Sequence, residues 1–453
     1  MAEQTNTHIR ELKAEDFESR QTRRDYSFRS LTEESSEPEP EETNKKPKRE
    51  KKQFSLDFSF MPPLKGRDEH MVAVKNMDFT IIACVLLLAF IGVVMVTSSG
   101  YYYAYTYLGD SMYFFKKQLL WLGLSIPVMI LVSVFPMNLL KKLSLLAYVV
   151  SVLLCVLVLF IGKTENGSTR WIYIGSISFQ PCELAKIAVA LYMSVLVDEH
   201  RSDIKSFKTF LILLLVLIVP TVLIMVENLT SAIIVAVIGI TIMFVGGCAF
   251  WQFLVVGVPV ALAMILLIVF PLYHPDKIAM LPGFVQSFAE KYLYRTDRIM
   301  AWLDPWKYAT DEGYQTVQSL YAVGSGGVFG RGLGNSLQKL GFIPEAHNDI
   351  IFAVICEELG LFGAAIVITL YVVLVWHGFK LSANLKNRFC SYLVAGITMQ
   401  IGIQAILNIA VNTNILPATG VSLPFISYGG SSMLFLMASV GLLINASRFE
   451  TLE

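Results

Sequence analysis

The chain has 453 residues, of which 55% are hydrophobic and 16% charged, and its mean hydropathy is +0.57. These values exclude an ordinary soluble domain as the bulk of the protein. The formal net charge of zero hides two unlike parts, because residues 1–75 are polar and rich in charge whereas the remainder carries few charges. The sequence therefore predicts one large membrane domain that follows a polar N-terminal tail.

Residues 1–75 are predicted to form a disordered cytoplasmic tail. They combine an acidic stretch at 37–42 with a basic cluster at 45–52, and they contain too few apolar side chains to offset the entropy of ordering. The basic cluster is equally compatible with binding to anionic lipid head groups and with a solvated linker. Because the first 30 residues lack the apolar core of a signal peptide, we expect the first transmembrane helix to act as an uncleaved insertion signal.

Apolar stretches of about 20 residues, the length that crosses roughly 30 Å of hydrocarbon, recur from Asp78 nearly to the C-terminus. They predict an all-α polytopic membrane protein with about ten transmembrane helices in a domain at 76–449. The stretches begin near Phe79, Gln118, Leu143, Phe179, Phe207, Leu229, Trp251, Ile350, Phe389 and Leu423.

Basic residues in the short connections orient these helices, because Lys and Arg are enriched on the cytoplasmic side. Both termini are therefore predicted to be cytoplasmic, and residues 273–348 are predicted to form one long extracellular loop between helices 7 and 8. Lys116 and Lys117 depart from this rule, although long side chains at an interface can reach water. The orienting residues are Lys141, Lys142, Arg201, Lys205, Lys208, Lys380, Lys386, Arg388 and Arg448.

The six cysteines fall in or beside apolar stretches and show no CxxC or Cys/His spacing of the kind that binds metal. We interpret them as helix-packing residues. They are Cys84, Cys155, Cys182, Cys248, Cys356 and Cys390.

Charged and polar residues interrupt two of the predicted helices. Glu183 and Lys186 lie three residues apart on one face of the fourth helix, and isolated charges at membrane depth are costly, so we expect an ion pair inside the bundle. This pair would either link helices or line a cavity for an anionic substrate, and the sequence leaves both open. Glu227 and Asn228, which precede the sixth helix, are interpreted first as helix-packing residues.

The end of the long loop gathers titratable groups. Asp349 is expected in the first turn of the eighth helix, where capping of free amides explains one acid but not its neighbours Glu345 and His347. The histidine is expected to be an exposed interfacial residue, with proton handling or ligand contact as the alternatives. Two turns into the same helix follow Glu357 and Glu358, and the second of these is expected to face the interior.

Earlier in the loop, Arg295 and Arg298 are suited to bidentate binding of a pyrophosphate. The alternative is that they pair with loop carboxylates such as Asp297 and Asp304. A glycine-rich stretch at 324–334 allows close approach of its backbone to a ligand. It lacks the strand, the helix and the Lys-Ser/Thr pair of a P-loop, which excludes that form of nucleotide binding.

Six motifs follow one another along the chain: NGSTRW at 166–171, FQPCELAK at 179–186, GYQ at 313–315, PEAHND at 344–349, LPATG at 416–420 and LPFISYGGSS at 423–432. In this order they resemble the SEDS family (shape, elongation, division and sporulation), over roughly 78–449. The stretch 335–340, followed by Pro344 to His347, resembles the FtsW and SpoVE branch more than the elongation branch. The chain departs from the family pattern with Cys182 for the usual Ser, Val226-Glu227-Asn228 for Gln-Pro-Asp, Asn348 for Thr and Asn414 for Gly.

The resemblance implies a peptidoglycan glycosyltransferase of the bacterial cytoplasmic membrane that joins lipid II units on its outer face. It implies a class B penicillin-binding protein and other division proteins as partners, a divalent cation (Mg²⁺ or Mn²⁺) at the diphosphate, and no nucleic acid. Asp349 matches the catalytic carboxylate of the family. The substrate-binding or supporting residues are then expected to be Arg170, Glu183, Lys186, Arg295, Arg298, Glu345, His347, Ser427, Ser431 and Ser432.

Two other functions fit the same sequence features. A lipid flippase or transporter would also use about ten helices with intramembrane charges, although no inverted repeat is evident in the hydropathy. A non-catalytic division scaffold would need little more than the tail, but it leaves the acidic cluster near Asp349 unexplained.

Overall fold

A computed structural model of the chain describes residues 71–73, 78–165, 168–174, 177–226, 228–273 and 298–451. Apart from 71–73, the predicted tail lies outside the described residues. The same holds for residues 274–297 of the predicted loop, and therefore for Arg295.

The described residues form eleven helices with two small antiparallel sheets. A turn of π-helix at Ala104–Leu108 extends the first helix. The helices are α1 Phe79–Tyr103, α2 Tyr113–Val134, α3 Met137–Ile161, α4 Pro181–Glu199, α5 Phe207–Met225, α6 Leu229–Val245, α7 Phe250–Tyr273, α8 Tyr314–Ser325, α9 Ile351–Asn384, α10 Arg388–Asn412 and α11 Gly430–Ser447. The strands are β1 Met71–Ala73, which pairs with β5 Phe449–Thr451, and β2 Lys163–Glu165, β3 Ser168–Ile174 and β4 Ile177–Phe179, which pair in that order.

Within the described part of the chain, seven helices are long and apolar enough to cross a membrane, namely α1, α2, α3, α5, α9, α10 and α11. Two shorter apolar helices cover Leu229–Val245 and Phe250–Leu262. The charged residues Glu183 and Lys186 lie near the start of α4. The prediction of a helical, multi-pass membrane protein is confirmed, while the count of ten, the side of the termini and the external position of the loop stay predictions.

Two helices begin later than the sequence predicted. Helix α9 begins at Ile351, so Asp349 precedes the helix instead of lying in its first turn. Helix α11 begins at Gly430 instead of near Leu423. The reason is local, because Pro424 has no backbone N–H to donate and Phe425 has a φ of +65°, which no helix accommodates.

Helix α4 lies at the centre of the bundle and contacts α3, α5, α6, α10 and α11. Most of its side chains are buried, and small ones such as Ala185, Ala188, Ala190 and Ser194 let neighbouring helices approach closely. Arg170 lies on β3 of the sheet that precedes α4, and β3 contacts both α3 and α4, which fixes the sheet to the bundle.

The predicted loop is partly built into the helical bundle. Helix α9 is broken at Gly360, whose φ and ψ are 67° and −166°. The break frees backbone groups that would be costly in lipid, and the glycine-rich stretch pairs with them. Leu361 N–H donates to the carbonyl of Gly327 (2.9 Å), and Phe362 N–H donates to that of Val328 (3.0 Å).

The same stretch also binds the helix on the other side of the break. The N–H groups of Arg331 and Gly332 donate to the carbonyls of Glu357 (2.9 Å) and Glu358 (3.0 Å). Gly326 and Gly330 allow this close contact with α9, because a Cβ at either position would clash with the backbone of the helix. The approach of the stretch to a ligand stays a prediction.

Two fully buried carboxylates of α9 anchor the chain that follows this stretch. Glu358 accepts from Lys339 Nζ (2.6 Å) and from Ser98 Oγ (2.7 Å) of α1. Glu357 accepts from the N–H of Leu337 (3.0 Å) and from the hydroxyl of Ser336. Removal of either partner from a buried ion pair would leave an uncompensated charge and would be strongly destabilising. These contacts therefore hold residues 336–339 firmly against α9. The predicted interior position of Glu358 is confirmed.

Gly326→Ala tests the insertion of this stretch. A Cβ at Gly326 would lie 1.9 Å from the carbonyl oxygen of Cys356, which is backbone and cannot move aside. We expect the variant to unfold at a lower temperature in detergent and to lose activity, at a cost of about 1–3 kcal/mol or more. Gly324→Ala is the matched control, because nothing lies within 4 Å of its Cβ and alanine favours the helix. Equal melting temperatures for the two variants would contradict the described contact.

Cysteine labelling tests the predicted topology. The six native cysteines are buried, so they are replaced first to give a silent background. Thr310→Cys and Asn384→Cys then place single thiols at exposed positions. A membrane-impermeant thiol reagent added to intact cells should label the first and spare the second until the membrane is opened. Labelling of both from outside would contradict the assigned orientation.

Candidate active site

The main chain of Asp349 is held by two asparagines of α10. Asn408 Nδ2 and Asn412 Nδ2 both donate to its carbonyl oxygen, at 2.8 and 3.0 Å. The two asparagines lie one turn apart and are each 1% exposed. Asn412 Oδ1 in turn accepts from the N–H of Ala353 (3.1 Å), an amide of the first turn of α9 that also donates to the carbonyl of Ile350 (3.2 Å). These bonds fix both Asp349 and the start of α9.

The segment between α10 and α11 closes around the same point. Asn408 Nδ2 also donates to the carbonyl of Val421 (2.7 Å). Ser427 Oγ donates to the carbonyl of Asn348 (2.8 Å) and accepts from the N–H of Leu423 (2.7 Å). Ser427 therefore supports the backbone around Asp349, as a supporting residue should.

The other two serines of this motif lie differently. Ser431 is buried, and its hydroxyl oxygen has no hydrogen-bond partner among the described residues. Ser432 is partly exposed and packs against Gly429. Within the described residues neither serine forms a hydrogen bond with Asp349, so their expected support of the site stays a prediction.

Three residues near Asp349 adopt the left-handed backbone conformation that non-glycine residues rarely use. They are Glu345 (φ 47°), Asn414 (φ 56°) and Phe425 (φ 65°), and the described part of the chain has no other non-glycine residue of this kind. Such conformations cost on the order of 1–3 kcal/mol each and persist where the surroundings over-determine them. The departure from glycine at position 414 has a simple explanation, because asparagine tolerates this conformation better than most residues.

The electrostatic surroundings of Asp349 favour a carboxylate that can accept a proton near neutral pH. Burial, and to a smaller extent the neighbouring Glu345, raise the pKa of Asp349 to about 6, while Arg170 opposes the shift. A Cβ placed on Gly420 would lie 3.2 Å from Asp349 Oδ2 and 3.3 Å from Arg170 Nη1. The carboxylate and the guanidinium therefore both lie beside Gly420.

His347 is not exposed, contrary to the expectation from sequence. It is 4% exposed and lies among aromatic rings, with ring centroids at 4.0 Å from Phe114, 5.6 Å from Tyr428 and 6.0 Å from Tyr103. Burial lowers its pKa to about 4, so the imidazole is neutral at physiological pH. Its carbonyl accepts from the N–H of Tyr428 (2.9 Å). His347 thus packs the loop end that carries Asp349 against α2 and the segment before α11.

The expected ion pair of α4 is confirmed, since Lys186 Nζ lies 2.7 Å from Glu183 Oε1. The pair joins two residues of one helix, so the interpretation as a link between helices is wrong for this contact. Both side chains are almost completely buried, and Glu183 Oε2 has no hydrogen-bond partner among the described residues. The role of the pair in substrate binding stays a prediction.

Arg298 Nε lies 3.8 Å from Glu312 Oε2, a carboxylate of the same loop, which agrees with the alternative that the loop arginines pair with loop carboxylates. Asp304 accepts from the N–H of Lys307 (3.3 Å), and Asp297 lies outside the described residues. Of the predicted site residues, the structure thus brings Arg170 and Glu345 close to Asp349. The contact of Arg298 with a pyrophosphate stays a prediction.

Two recesses with different linings contain Asp349 and Arg170, respectively. Their volumes are about 280 and 310 Å³, counting space open to solvent. The first is lined by Gln315, Thr316, Ser319, Asp349, Ile350, Val411, Asn412, Ala418 and Thr419. The second is lined by Cys155, Val158, Leu159, Arg170, Gln180, Pro181, Cys182, Leu223, Ile224 and Asn228.

Two departures from the family pattern fall beside the second recess and have structural roles. Asn228 caps α6, and its Oδ1 accepts from the N–H of Ser231 (3.0 Å). Asparagine and aspartate cap helices about equally well, so this substitution keeps the capping function without the charge. Cys182 Sγ lies 3.6 Å from the hydroxyl of Ser231. Asn228 was expected to pack helices together, and in the structure its side chain caps α6.

Sequence reasoning missed the asparagines that hold Asp349. The signal was present, because four amide side chains recur every four residues along one face of α10, an apolar helix. Such a row of amides in a membrane helix indicates buried hydrogen bonding. The four residues are Gln400, Gln404, Asn408 and Asn412.

The model of the cell cycle protein family FTSW_RODA_SPOVE matches residues 78–452. The chain belongs to this family. The probable peptidoglycan glycosyltransferase FtsW of Coxiella burnetii is 36% identical over 381 residues, which cover 83% of this chain and 96% of that protein. The stage V sporulation protein E of Bacillus subtilis is 34% identical over 377 residues, with coverages of 82% and 97%. The resemblance to SEDS proteins, and to their FtsW and SpoVE branch, is confirmed.

Solved structures agree with this assignment. A chain from the structure "Structural coordination of polymerization and crosslinking by a peptidoglycan synthase complex" has 25% identity and a TM-score of 0.65, and the match covers 82% of this chain and 98% of that one. The rod shape determining protein RodA of Thermus thermophilus has 23% identity and a TM-score of 0.57, with coverages of 82% and 97%. The second likeness supports the fold alone.

Asn412→Ala tests the support of Asp349 by α10. The variant removes one of the two amide donors to the carbonyl of Asp349 and one of the two acceptors of the Ala353 N–H, and the loss of each buried hydrogen bond costs about 0.5–1.5 kcal/mol. We expect polymerising activity to fall by up to about 10²-fold, because small displacements of a catalytic group are costly. Thr413→Ala is the control, since its hydroxyl bonds only to carbonyls of its own helix. Equal activity and melting temperature in the two variants would contradict this support.

Proposed function

We propose that this protein is a peptidoglycan glycosyltransferase that polymerises lipid II into glycan strands on the outer face of the cytoplasmic membrane, in division or sporulation. The observation that carries the proposal is the carboxylate of Asp349, which is held through its main chain and lies, together with the guanidinium of Arg170, beside Gly420. The relatives named as glycosyltransferases FtsW and the structure of a peptidoglycan synthase complex support it.

The proposed reaction needs a base. Glycan extension joins the 4-hydroxyl of an acceptor sugar to the anomeric carbon of a donor linked to a lipid diphosphate, and the hydroxyl must lose its proton as the bond forms. Asp349 would accept that proton. With a pKa of about 6 it is ionised at neutral pH and is a better base than an ordinary aspartate. Arg170 lies where it can stabilise the charge of the departing diphosphate.

Glu345 has a different role in this proposal. It is exposed, it accepts from Asn348 Nδ2 (2.9 Å), and its charge helps to raise the pKa of Asp349. Its exposure makes it a poorer candidate for the base, because a solvated carboxylate is a weaker proton acceptor than a buried one.

A divalent cation, Mg²⁺ or Mn²⁺, remains part of the proposal. Within the described residues, no group of three His, Cys, Asp or Glu side chains has the arrangement of a metal site. Mg²⁺ usually binds one or two carboxylates together with substrate phosphates, so the carboxylates near Asp349 fit such a site. When bound, the ion would neutralise the diphosphate, with substrate phosphate oxygens as its main ligands.

The partner in this proposal is a class B penicillin-binding protein, which would crosslink the strands, together with other division proteins. The similar structure of a synthase complex, whose description names both polymerisation and crosslinking, supports a partner with crosslinking activity. The tail at 1–75 supplies a further place for division proteins to bind.

The first experiment measures polymerisation of lipid II by the purified protein in detergent, beside a liposome assay for lipid II translocation. Glycan strands of several units are the expected product. Translocation without polymer would favour the flippase, and neither activity would favour the scaffold.

Asp349→Asn should reduce polymer formation by about 10²- to 10⁴-fold while folding and lipid II binding persist, because the change removes the base and little volume. In the parent protein the rate should fall as the pH drops through about 6, since the base is lost on protonation. Glu345→Gln should stay active and move this acid limb to lower pH, because it removes one cause of the raised pKa.

The opposite pattern would move the base to another residue. If Asp349→Asn polymerises nearly as well as the parent protein and Glu345→Gln is inactive, Glu345 is the base. Melting temperatures of both variants in detergent serve as the control for folding.

A further inference from the structure

Five tyrosines lie within seven residues at the C-terminal end of α1. They are Tyr101, Tyr102, Tyr103, Tyr105 and Tyr107. The last two belong to the turn of π-helix that extends α1, and such turns are rare and occur frequently at functional sites. The proposed reaction gives these residues no role.

Four of these tyrosines form two stacked pairs on different faces of the helix. The ring centroids of Tyr101 and Tyr105 are 6.4 Å apart, and those of Tyr103 and Tyr107 are 4.9 Å apart. Residues four positions apart share one face of a helix, whereas residues two positions apart lie on roughly opposite faces. The two pairs therefore face different surroundings.

The second pair leads away from the candidate site. The ring centroid of Tyr103 lies 6.0 Å from that of His347, which is two residues before Asp349 in the chain. Tyr107 is the next ring and is 69% exposed. His347, Tyr103 and Tyr107 thus form a row of rings that is buried at the end near Asp349 and open at the other end.

The contacts of α1 fix this row relative to Asp349. Ser98 Oγ, about one turn before Tyr102, donates to the carboxylate of Glu358 in α9 (2.7 Å). Tyr102 packs on the segment that leads to Asp349, because a Cβ on Gly341 would lie 3.2 Å from Tyr102 Cε1. The end of α1 and the segment before Asp349 are therefore packed together.

Membrane proteins also carry tyrosines at the level of the lipid head groups, where these side chains anchor helices. That role suits the pair of Tyr101 and Tyr105, which faces away from the row of rings. The turn that carries Tyr107 is followed by Asp110, which forms an exposed ion pair with Lys116 (2.9 Å). Because charges are costly in hydrocarbon, this ion pair indicates that Tyr107 lies beside water.

A row of aromatic rings beside water fits a sugar chain. A β-linked pyranose carries C–H groups on its faces and hydroxyl groups at its rim, so each sugar has an apolar face that can stack on an aromatic ring. Tyrosine suits such contacts, because its ring is rigid and apolar and its hydroxyl group bonds to polar neighbours. The product of the proposed reaction is a chain of this kind, and it would form at Asp349, near the buried end of the row.

We propose that Tyr103 and Tyr107 form a binding surface for the growing glycan strand, on which sugars that are already joined stack between successive additions. This role rests on the proposed glycosyltransferase function, because the strand is its product. A strand held in this way stays on the protein after each addition, so the surface would increase the length of the strands. Tyr101 and Tyr105 would take no part.

Strand length tests this surface. The purified full-length protein in detergent is supplied with lipid II, and strand lengths are compared on gels at equal consumption of lipid II, so that a change in rate alone has no effect. Tyr107→Leu keeps an apolar side chain and removes the ring, so the strand should dissociate about 2- to 12-fold more readily and the products should be correspondingly shorter. Tyr107→Trp keeps an aromatic ring and should keep the strand length.

Tyr105→Leu is the matched control, because Tyr105 is 66% exposed and also stacks on a tyrosine four residues earlier. This variant should make strands of the parent length.

Direct binding of a preformed glycan separates the surface from the reaction. An octasaccharide of alternating N-acetylglucosamine and N-acetylmuramic acid is titrated into the full-length protein, and its Kd is measured by calorimetry. Tyr107→Leu should raise this Kd by about 2- to 12-fold. Tyr105→Leu should leave it unchanged.

Equal effects of Tyr107→Leu and Tyr105→Leu would overturn the proposal, because both pairs would then serve as membrane anchors. An unchanged Kd in Tyr107→Leu would overturn it whatever the strand lengths, and so would strands that are as short in Tyr107→Trp as in Tyr107→Leu. If the parent protein makes no polymer from lipid II, the proposed function itself fails. The Kd values alone then decide whether the tyrosines bind glycan.

Discussion

The candidate site depends on the hydrogen bonds that Asn408 and Asn412 donate to the main-chain carbonyl of Asp349. Asp349 precedes α9, and a residue in a connecting segment normally lacks the rigid mount that catalysis requires. The two amides supply that mount from a neighbouring helix. They also reach Val421 and Ala353, so the segment with Gly420 and the start of α9 are fixed to the same two side chains. The left-handed residues around the site can persist because these contacts leave the backbone little freedom.

The rest of the predicted loop also helps to position Asp349. The break of α9 at Gly360 exposes backbone groups, and the glycine-rich stretch pairs with them as a sheet edge would. Buried carboxylates then hold residues 336–339 through Lys339 and Ser336. The short segment from Lys339 to Asp349 is thus anchored at both ends. In its described part, the predicted long loop is built into the helical bundle and positions Asp349.

Much of the fold followed from sequence, because apolar stretches of membrane length have few alternatives to helices. The starts of the helices were less predictable. Pro424 and Phe425 prevent a helix from beginning near Leu423, although the residues there are mostly apolar. The ion pair of Glu183 and Lys186 was predictable, because helical spacing alone brings the two residues together. The burial of His347 was not predictable, because the ring that packs on it belongs to Phe114, a residue more than 200 positions earlier in the chain. The partners of Asp349 lie about 60 residues away, and only tertiary structure brings them together.

The central claim is that Asp349, held from α10, meets the hydroxyl group that attacks the donor. A cryo-electron microscopy structure of the Asp349→Asn variant with lipid II bound tests it most directly. The account predicts the acceptor 4-hydroxyl within about 2.6–3.2 Å of the substituted side chain, with the carbonyl at position 349 still bonded to Asn408 and Asn412. A bound acceptor whose 4-hydroxyl instead contacts Glu345, or lies beyond hydrogen-bonding distance of position 349, would contradict it.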